Sequence, residues 1–207
     1  MDPAAVEKRR RQNLAAPRTD TRGVTPSTRS FAQAIDSRGQ RVEHVPLLRG
    51  RLDALFELQD DALALAVELD DPQAELVKFA EAARALSVPV LRADLILEEF
   101  QVYETRAAGA DALLLHASLL PGELLERLFR AATSTHLTPC LVCATPEELS
   151  RALALKPQVL CLENGLQAPP RLLTLGLRRD ARADAVLDDQ INDAAALRAL
   201  LQEEENG

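Results

Sequence analysis

Residues Pro89-Val-Leu-Arg-Ala-Asp-Leu-Ile-Leu-Glu-Glu-Phe-Gln-Val-Tyr-Glu-Thr-Arg-Ala-Ala-Gly-Ala-Asp-Ala-Leu-Leu-Leu115 decide the fold class. The stretch begins on a short β-rich apolar run at 88–91 and passes into a helical pattern over 97–108 that stops at Gly109. A second apolar run, 112–116, follows almost at once. Strand, helix and strand in so little chain predict a βαβ unit with its two strands parallel.

The same alternation extends in both directions. Further β-rich runs lie at 42–48, 63–69, 140–143, 159–162 and 185–187. Between them, 71–87 carries Leu76, Phe79, Ala80, Ala83 and Leu86 at helical spacing behind Asp71-Pro72, a helix start signal. The stretches 121–134 and 146–155 each begin with Pro followed by acids, which suits the positive end of a helix dipole. Repeated βα units predict a parallel sheet covered by helices. Periodicity leaves open whether that sheet closes on itself.

Composition narrows the function classes. The 207 residues are 47% apolar and 27% charged, which is globular usage, and only 3% aromatic, so the core is aliphatic. A formal charge of −8 argues against wholesale nucleic-acid binding. No apolar run reaches the roughly 18 residues of a membrane helix, and the first residues lack an apolar signal core. Three cysteines without a clustered framework predict reduced thiols and a cytoplasmic location.

The charge is uneven. Residues 1–30 carry +4, leaving −12 on the rest. Residues 16–30 are rich in Thr, Pro, Arg and Ser with little to bury, so 1–30 reads as a basic, disordered arm ahead of a single domain over 31–207.

The quoted stretch strongly resembles indole-3-glycerol phosphate synthase of tryptophan biosynthesis, over that family's third strand, third helix and fourth strand. The likeness continues through Leu141-Val-Cys-Ala-Thr-Pro-Glu-Glu-Leu-Ser-Arg-Ala-Leu-Ala-Leu155 and Val159-Leu-Cys-Leu-Glu-Asn164, and weakly at Ala183-Asp-Ala-Val-Leu187 and 194–201. Ser30-Phe-Ala-Gln-Ala-Ile35 is similar to the family's lead-in to strand one. The resemblance implies a (β/α)8 TIM barrel with its active site at the C-terminal ends of the strands. It also implies a carboxy-lyase that closes an indole ring without a cofactor.

The family's chemistry needs a lysine general acid, assisting carboxylates and a phosphate cradle. By the resemblance, Ala93 stands at the third-strand lysine, and a methyl group has no proton to give. Pro46 and Leu48 stand at a glutamate and a second lysine of strand one, and Cys143 at the strand-five glutamate. Glu163 replaces the first Asn of a strand-six pair, and Asn164, the second, is retained as a substrate-binding candidate. The phosphate contacts read Leu175-Gly176 and Asp189-Gln190, with Asp188 and Asp189 opposed to an anion. So many simultaneous changes predict loss of the reaction.

Spacing points the same way. Only seven residues separate Asn164 from Leu172, and five separate Leu177 from Ala183. A parallel crossover usually needs about a dozen residues. The barrel is therefore expected to be truncated or distorted around strands six to eight, with residues 171–177 as a loop or short helix in place of strand seven. Beyond the arm, about 177 residues remain, against the ~250 typical of an eightfold barrel.

Strand alternation suggests a replacement site. If Ala93, Cys143 and Glu163 face inward, then His116, Cys143 and Glu163 share one mouth, as a metal set or a nucleophile–base set. The competing reading is isolated polar residues in an emptied pocket, with Cys acting as a small hydrophobe. No sequence-local ligand motif marks a metal, and Cys140 and Cys143, three apart on a strand, fall on opposite faces. Asp70-Asp71 and Glu98-Glu99 read as helix starts.

Two function classes follow. One is a non-catalytic relative that binds a protein partner or a small-molecule effector, self-associating to cover exposed sheet edge. The other is an enzyme, either an active synthase or a barrel with new chemistry at His116, Cys143 and Glu163. Fold alone does not award activity.

Overall fold

The structure is a computed structural model and describes residues 2–16, 24–37, 41–178 and 182–205. Among them run eight strands: β1 (Glu43–Arg49), β2 (Leu65–Glu68), β3 (Val90–Arg92), β4 (Ala112–His116), β5 (Thr138–Cys143), β6 (Val159–Leu162), β7 (Leu173–Gly176) and β8 (Ala185–Asp188). Each pairs in parallel with the next, and β8 pairs back onto β1, closing a barrel. Helices α1 (Pro3–Ala15) and α2 (Phe31–Ala34) precede β1. Helix α3 (Ala54–Leu58) follows β1, α4 (Pro72–Ala85) follows β2, α5 (Glu99–Ala107) follows β3 and α6 (Gly122–Ser134) follows β4. Helix α7 (Pro146–Ala154) follows β5, and α8 (Ala194–Glu205) follows β8. The expected TIM-barrel architecture is therefore present.

Local chemistry explains the elements. Asp71 caps α4 through Gln73 N–H, and Glu98 with Gln101 forms a reciprocal capping box on α5, so both doubled carboxylates serve as helix starts. Gly109 ends α5 at φ +100, and a Cβ there would meet the Arg84 side chain at 3.0 Å. Only glycine fits both the backbone and the space.

Alternate strand residues face the barrel axis, and the interior is aliphatic. Val45 and Leu47 from β1, Ala112 and Leu114 from β4, and Cys140 and Val142 from β5 meet there with their counterparts. Their neighbours Leu48, Leu113 and Leu141 face the helices instead. Phe31 and Ile35, both fully buried, join the interior cluster and plug the N-terminal end of the barrel.

Two expectations are corrected. Strand seven exists, paired on both sides, so the strand ring is complete and offers no free sheet edge. What is missing is helical cover: residues 163–172 join β6 to β7 without a helix, and none occurs between β7 and β8 among the described residues. The strands are four residues long, so the return path is about 13 Å, well within the reach of a ten-residue loop. A helix is thus the common solution here, not a geometric requirement. Thr174 and Asp184 clasp β7 to the start of β8, with the Thr174 N–H and hydroxyl donating to one Asp184 oxygen at 2.8 and 2.7 Å.

The N-terminal region also differs from the expected arm. Pro3–Ala15 is helical and buries Val6, Arg9 and Asn13, while Ser27 and Arg29 bind Asp111 at the opposite end of the barrel. Residues 17–23 of the predicted arm lie outside the described residues.

Candidate functional site

The C-terminal ends of the strands form a mouth, and strand parity decides what enters it. On β1 the inward residues are Leu47 and, continuing the alternation, Arg49; Leu48 packs against the helices. Pro46 and Leu48, assigned by resemblance to catalytic positions, therefore face away from the axis. Arg49 Nε donates to Glu68 at 2.7 Å and its Nη1 to Asp189 at 2.9 Å. This bridge across β1, β2 and β8 holds the Arg49 guanidinium above its ordinary pKa, chiefly through the Glu68 hydrogen bond. A basic residue two places beyond an inward Leu47 was the available signal in the sequence.

At the end of β3, Ala93 packs against the interior cluster, so the residue at the lysine position is an inward methyl group. Its neighbours are structural. Arg92, fully buried and facing outward, donates to Asp94, Glu104 and Thr105. Burial alone would lower its pKa, but the Asp94 and Glu104 carboxylates outweigh that and raise it. Arg9 of α1 adds a second guanidinium on Asp94 at 2.7 Å and donates to Leu69 O at 2.9 Å. This contact seats α1 on the loops after β2 and β3, at the rim of the mouth.

His116 ends β4, in register with the inward Leu114, and is half-buried. Burial pushes its pKa down to about 4, which leaves a neutral imidazole at pH 7. Cys143 does not join it. The thiol packs with Leu141 and Leu160 in the layer between sheet and helices, and burial raises its pKa to about 11. The physical reason is register: on β5, Cys140 and Val142 occupy the inward positions. Burial likewise raises the Cys140 and Cys161 thiols, so none of the three is a ready nucleophile. Cys140 and Cys143 do lie on opposite faces.

Glu163, just past β6, is exposed, and its N–H donates to Cys143 O at 3.0 Å. Asn164, at φ +54, turns its side chain to Ala144 O at 3.1 Å. It ties the ends of β5 and β6 together. The structure thus brings His116 and Glu163 to one rim and leaves Cys143 outside it. Among the described residues, no three His, Cys, Asp or Glu side chains cluster in a way that could hold a metal.

The two β8 carboxylates expected to oppose an anion point in different directions. Asp188 is fully buried, faces outward and binds His44 Nδ1 at 2.9 Å and Gln190 N–H at 3.0 Å. Asp189 reaches the rim but is paired with Arg49. A cavity of about 610 Å³ over β7, β8 and β1 is floored by Leu47 and Leu187 and rimmed by Arg49, Arg178 and Asp189.

Known proteins match this chain in the same region. The indole-3-glycerol phosphate synthase family model matches residues 59–165, ending where the helical cover stops. An indole-3-glycerol phosphate synthase of Desulforamulus reducens is 32% identical over 155 residues, 67% of this chain and 58% of that protein. That of Chlorobium phaeovibrioides is 36% identical over 141 residues, covering 59% and 54%. The synthase of Neisseria meningitidis serogroup C is 41% identical over 92 residues, covering 44% and 35%. The chain spans about half the length of the curated relatives it matches. Solved structures agree on the fold. Orotidine 5'-monophosphate decarboxylase from Sulfolobus solfataricus superposes with TM-score 0.62 at 13% identity, over 80% of this chain and 99% of that one. The tryptophan synthase alpha chain from Legionella pneumophila gives 0.58 at 11% identity, over 87% and 90%. With the family match spanning more than half of its length, the chain belongs to the indole-3-glycerol phosphate synthase family.

Proposed function

We propose that this chain is a non-catalytic member of its family that acts by binding, with a regulatory role toward tryptophan biosynthesis. One observation carries the reading. The chain has three lysines, and none is on a strand end that forms the mouth: Lys8 is exposed on α1, Lys78 is exposed on α4, and Lys156 is in the turn leading into β6, at the opposite end of the barrel. A ring closure that needs an ammonium beside the reacting carbonyl has no donor there. Arg49 is no substitute, since a guanidinium does not give up its proton near neutral pH and this one is engaged by two carboxylates. His116, with its pKa near 4, is mostly unprotonated at pH 7.

Binding fits what remains. The cavity over β7, β8 and β1 has an aliphatic floor and charged rim, a composition suited to a small-molecule effector or to a side chain of a protein partner. We place the protein in the cytoplasm, on the strength of three buried free thiols. No described helix is long and apolar enough to cross a membrane. Self-association would use a face other than a sheet edge, because the closed ring has none.

The test is direct. Purified chain is incubated with the phosphorylated anilino-sugar substrate of the synthase, and the same gene is introduced into a tryptophan auxotroph lacking its own synthase. No indole product and no growth are expected. Turnover above the rate of a boiled control, or rescue of growth, defeats the proposal in favour of an active synthase.

A further inference from the structure

Opposite the mouth, a cleft of about 530 Å³ opens at the N-terminal end of β5 and β6. Its walls come from two adjacent helix-to-strand turns and from the segment 27–30 that runs beneath the barrel. No carboxylate lines it, in a chain with 32 acidic residues and a net charge of −8. His136 and Lys156 do, one from each turn, and among the described residues neither side chain makes a hydrogen bond or ion pair. Leu137 and Pro139 supply an apolar wall, and Thr133 a hydroxyl.

The backbone at both residues is unusual. His136 follows the α6 cap at φ +60, and Lys156 follows the α7 cap at φ +56. Each donates its N–H into the preceding helix, to Thr133 O and Leu153 O, at 3.1 Å. This is the position after a helix where glycine or asparagine is unstrained and other residues are not. A cation near a helix C-terminus complements the dipole, but any residue of the last turn could do that without left-handed backbone. Two neighbouring turns that both bear the strain, and both aim a basic residue into one acid-free cleft, indicate selection for the side chains.

We propose that this cleft binds a phosphate monoester, its phosphate held by Lys156 and His136 and its organic body against Leu137 and Pro139. A lysine ammonium acts as a point charge for phosphate, and the His136 ring adds a second N–H donor beside it. The site is at the far end of the barrel from the mouth, so it stands or falls independently of whether the mouth is catalytic.

The experiment titrates the full chain with phenyl phosphate, and separately with inorganic phosphate, at constant ionic strength, following backbone amide NMR signals. Saturable shifts are expected at His136, Leu137 and Lys156, with phenyl phosphate binding more tightly than inorganic phosphate. Lys156→Asn and His136→Asn place a residue tolerant of left-handed backbone at each turn, so both variants should melt no lower than the parent. Each is expected to weaken phenyl phosphate about tenfold, the loss of one charge-assisted contact. Absence of saturable shifts at the cleft, shifts confined to the mouth, or a folded Lys156→Asn variant with unchanged affinity would overturn the site. Equal affinity for inorganic phosphate would overturn the assignment to an ester.

Discussion

Arg9 on α1 donates to Asp94 at the end of β3 across 2.7 Å, with both side chains buried and 85 positions apart in sequence. Asp94 at the same time accepts two hydrogen bonds from Arg92. One carboxylate therefore pairs with two buried guanidiniums, Arg92 having Glu104 as well, and anchors the N-terminal helix to the rim of the mouth.

The two ends of that contact should differ in cost. Arg9→Ala leaves Asp94 still paired with Arg92, so the loss should be about 1.5–3 kcal/mol, the worth of charge-assisted hydrogen bonds. Asp94→Ala leaves Arg9 buried without its carboxylate and Arg92 with Glu104 alone, and should cost more, roughly 3–5 kcal/mol. Urea unfolding of both variants measures the difference. No loss of stability in Arg9→Ala would mean that Arg9 is not buried against Asp94 in solution.

His116 sets a pH dependence. Its folded pKa, about 4, lies below the ordinary 6.5, so between those values the unfolded chain binds more protons than the folded one. Its contribution is fully present above pH 6.5 and is lost as pH falls toward 4, by up to about 3 kcal/mol. Stability of His116→Leu should fall less steeply than that of the parent over this window. An NMR titration of the His116 ring with a midpoint above 6 would rule the effect out.

The thiols should be silent. Cys140, Cys143 and Cys161 are buried, and burial raises the pKa of each, so a thiol-specific chromogenic disulfide should find no fast-reacting group in the native protein at pH 8. In denaturant all three should react. Rapid native labelling of Cys143 would return it to the list of candidate nucleophiles.

Asp184 tests the helix-poor side of the barrel. It accepts from both the N–H and the hydroxyl of Thr174, joining β7 to β8, between which no helix occurs among the described residues. Asp184→Ala should cost about 1–3 kcal/mol and preferentially speed amide exchange across β7. A change confined to other strands would show that β7 does not depend on this clasp.

Restoring one group should not restore the reaction. Ala93→Lys puts an ammonium at the third-strand position, yet the inward residues Leu47 on β1 and Val142 on β5 supply no assisting carboxylate. Product formation from the anilino-sugar phosphate should stay at background. Measurable turnover in this single variant would show that the mouth had lost only its lysine.

The amino-acid sequence by itself determined the repeated βα pattern, through runs such as 112–116 separated by helices with recognisable caps. It also determined the family, through the words 89–115 and 141–164, and the absence of lysine at position 93. What only the tertiary structure decided was direction. Buried parallel strands are apolar on both faces, so nothing local distinguishes Val142, which faces the axis, from Cys143, which faces the helices. That distinction is made by pairing register around a closed ring, and a slip of one residue exchanges the faces. Closure itself was hidden for a related reason: a connection without a helix reads as a missing unit until the shortness of the strands is known. Burial of Arg9 was hidden because its partner, Asp94, lies 85 residues away and a charged helix reads locally as solvated. Local pattern reports what each segment can form; which side chains meet depends on contacts between segments far apart in the chain.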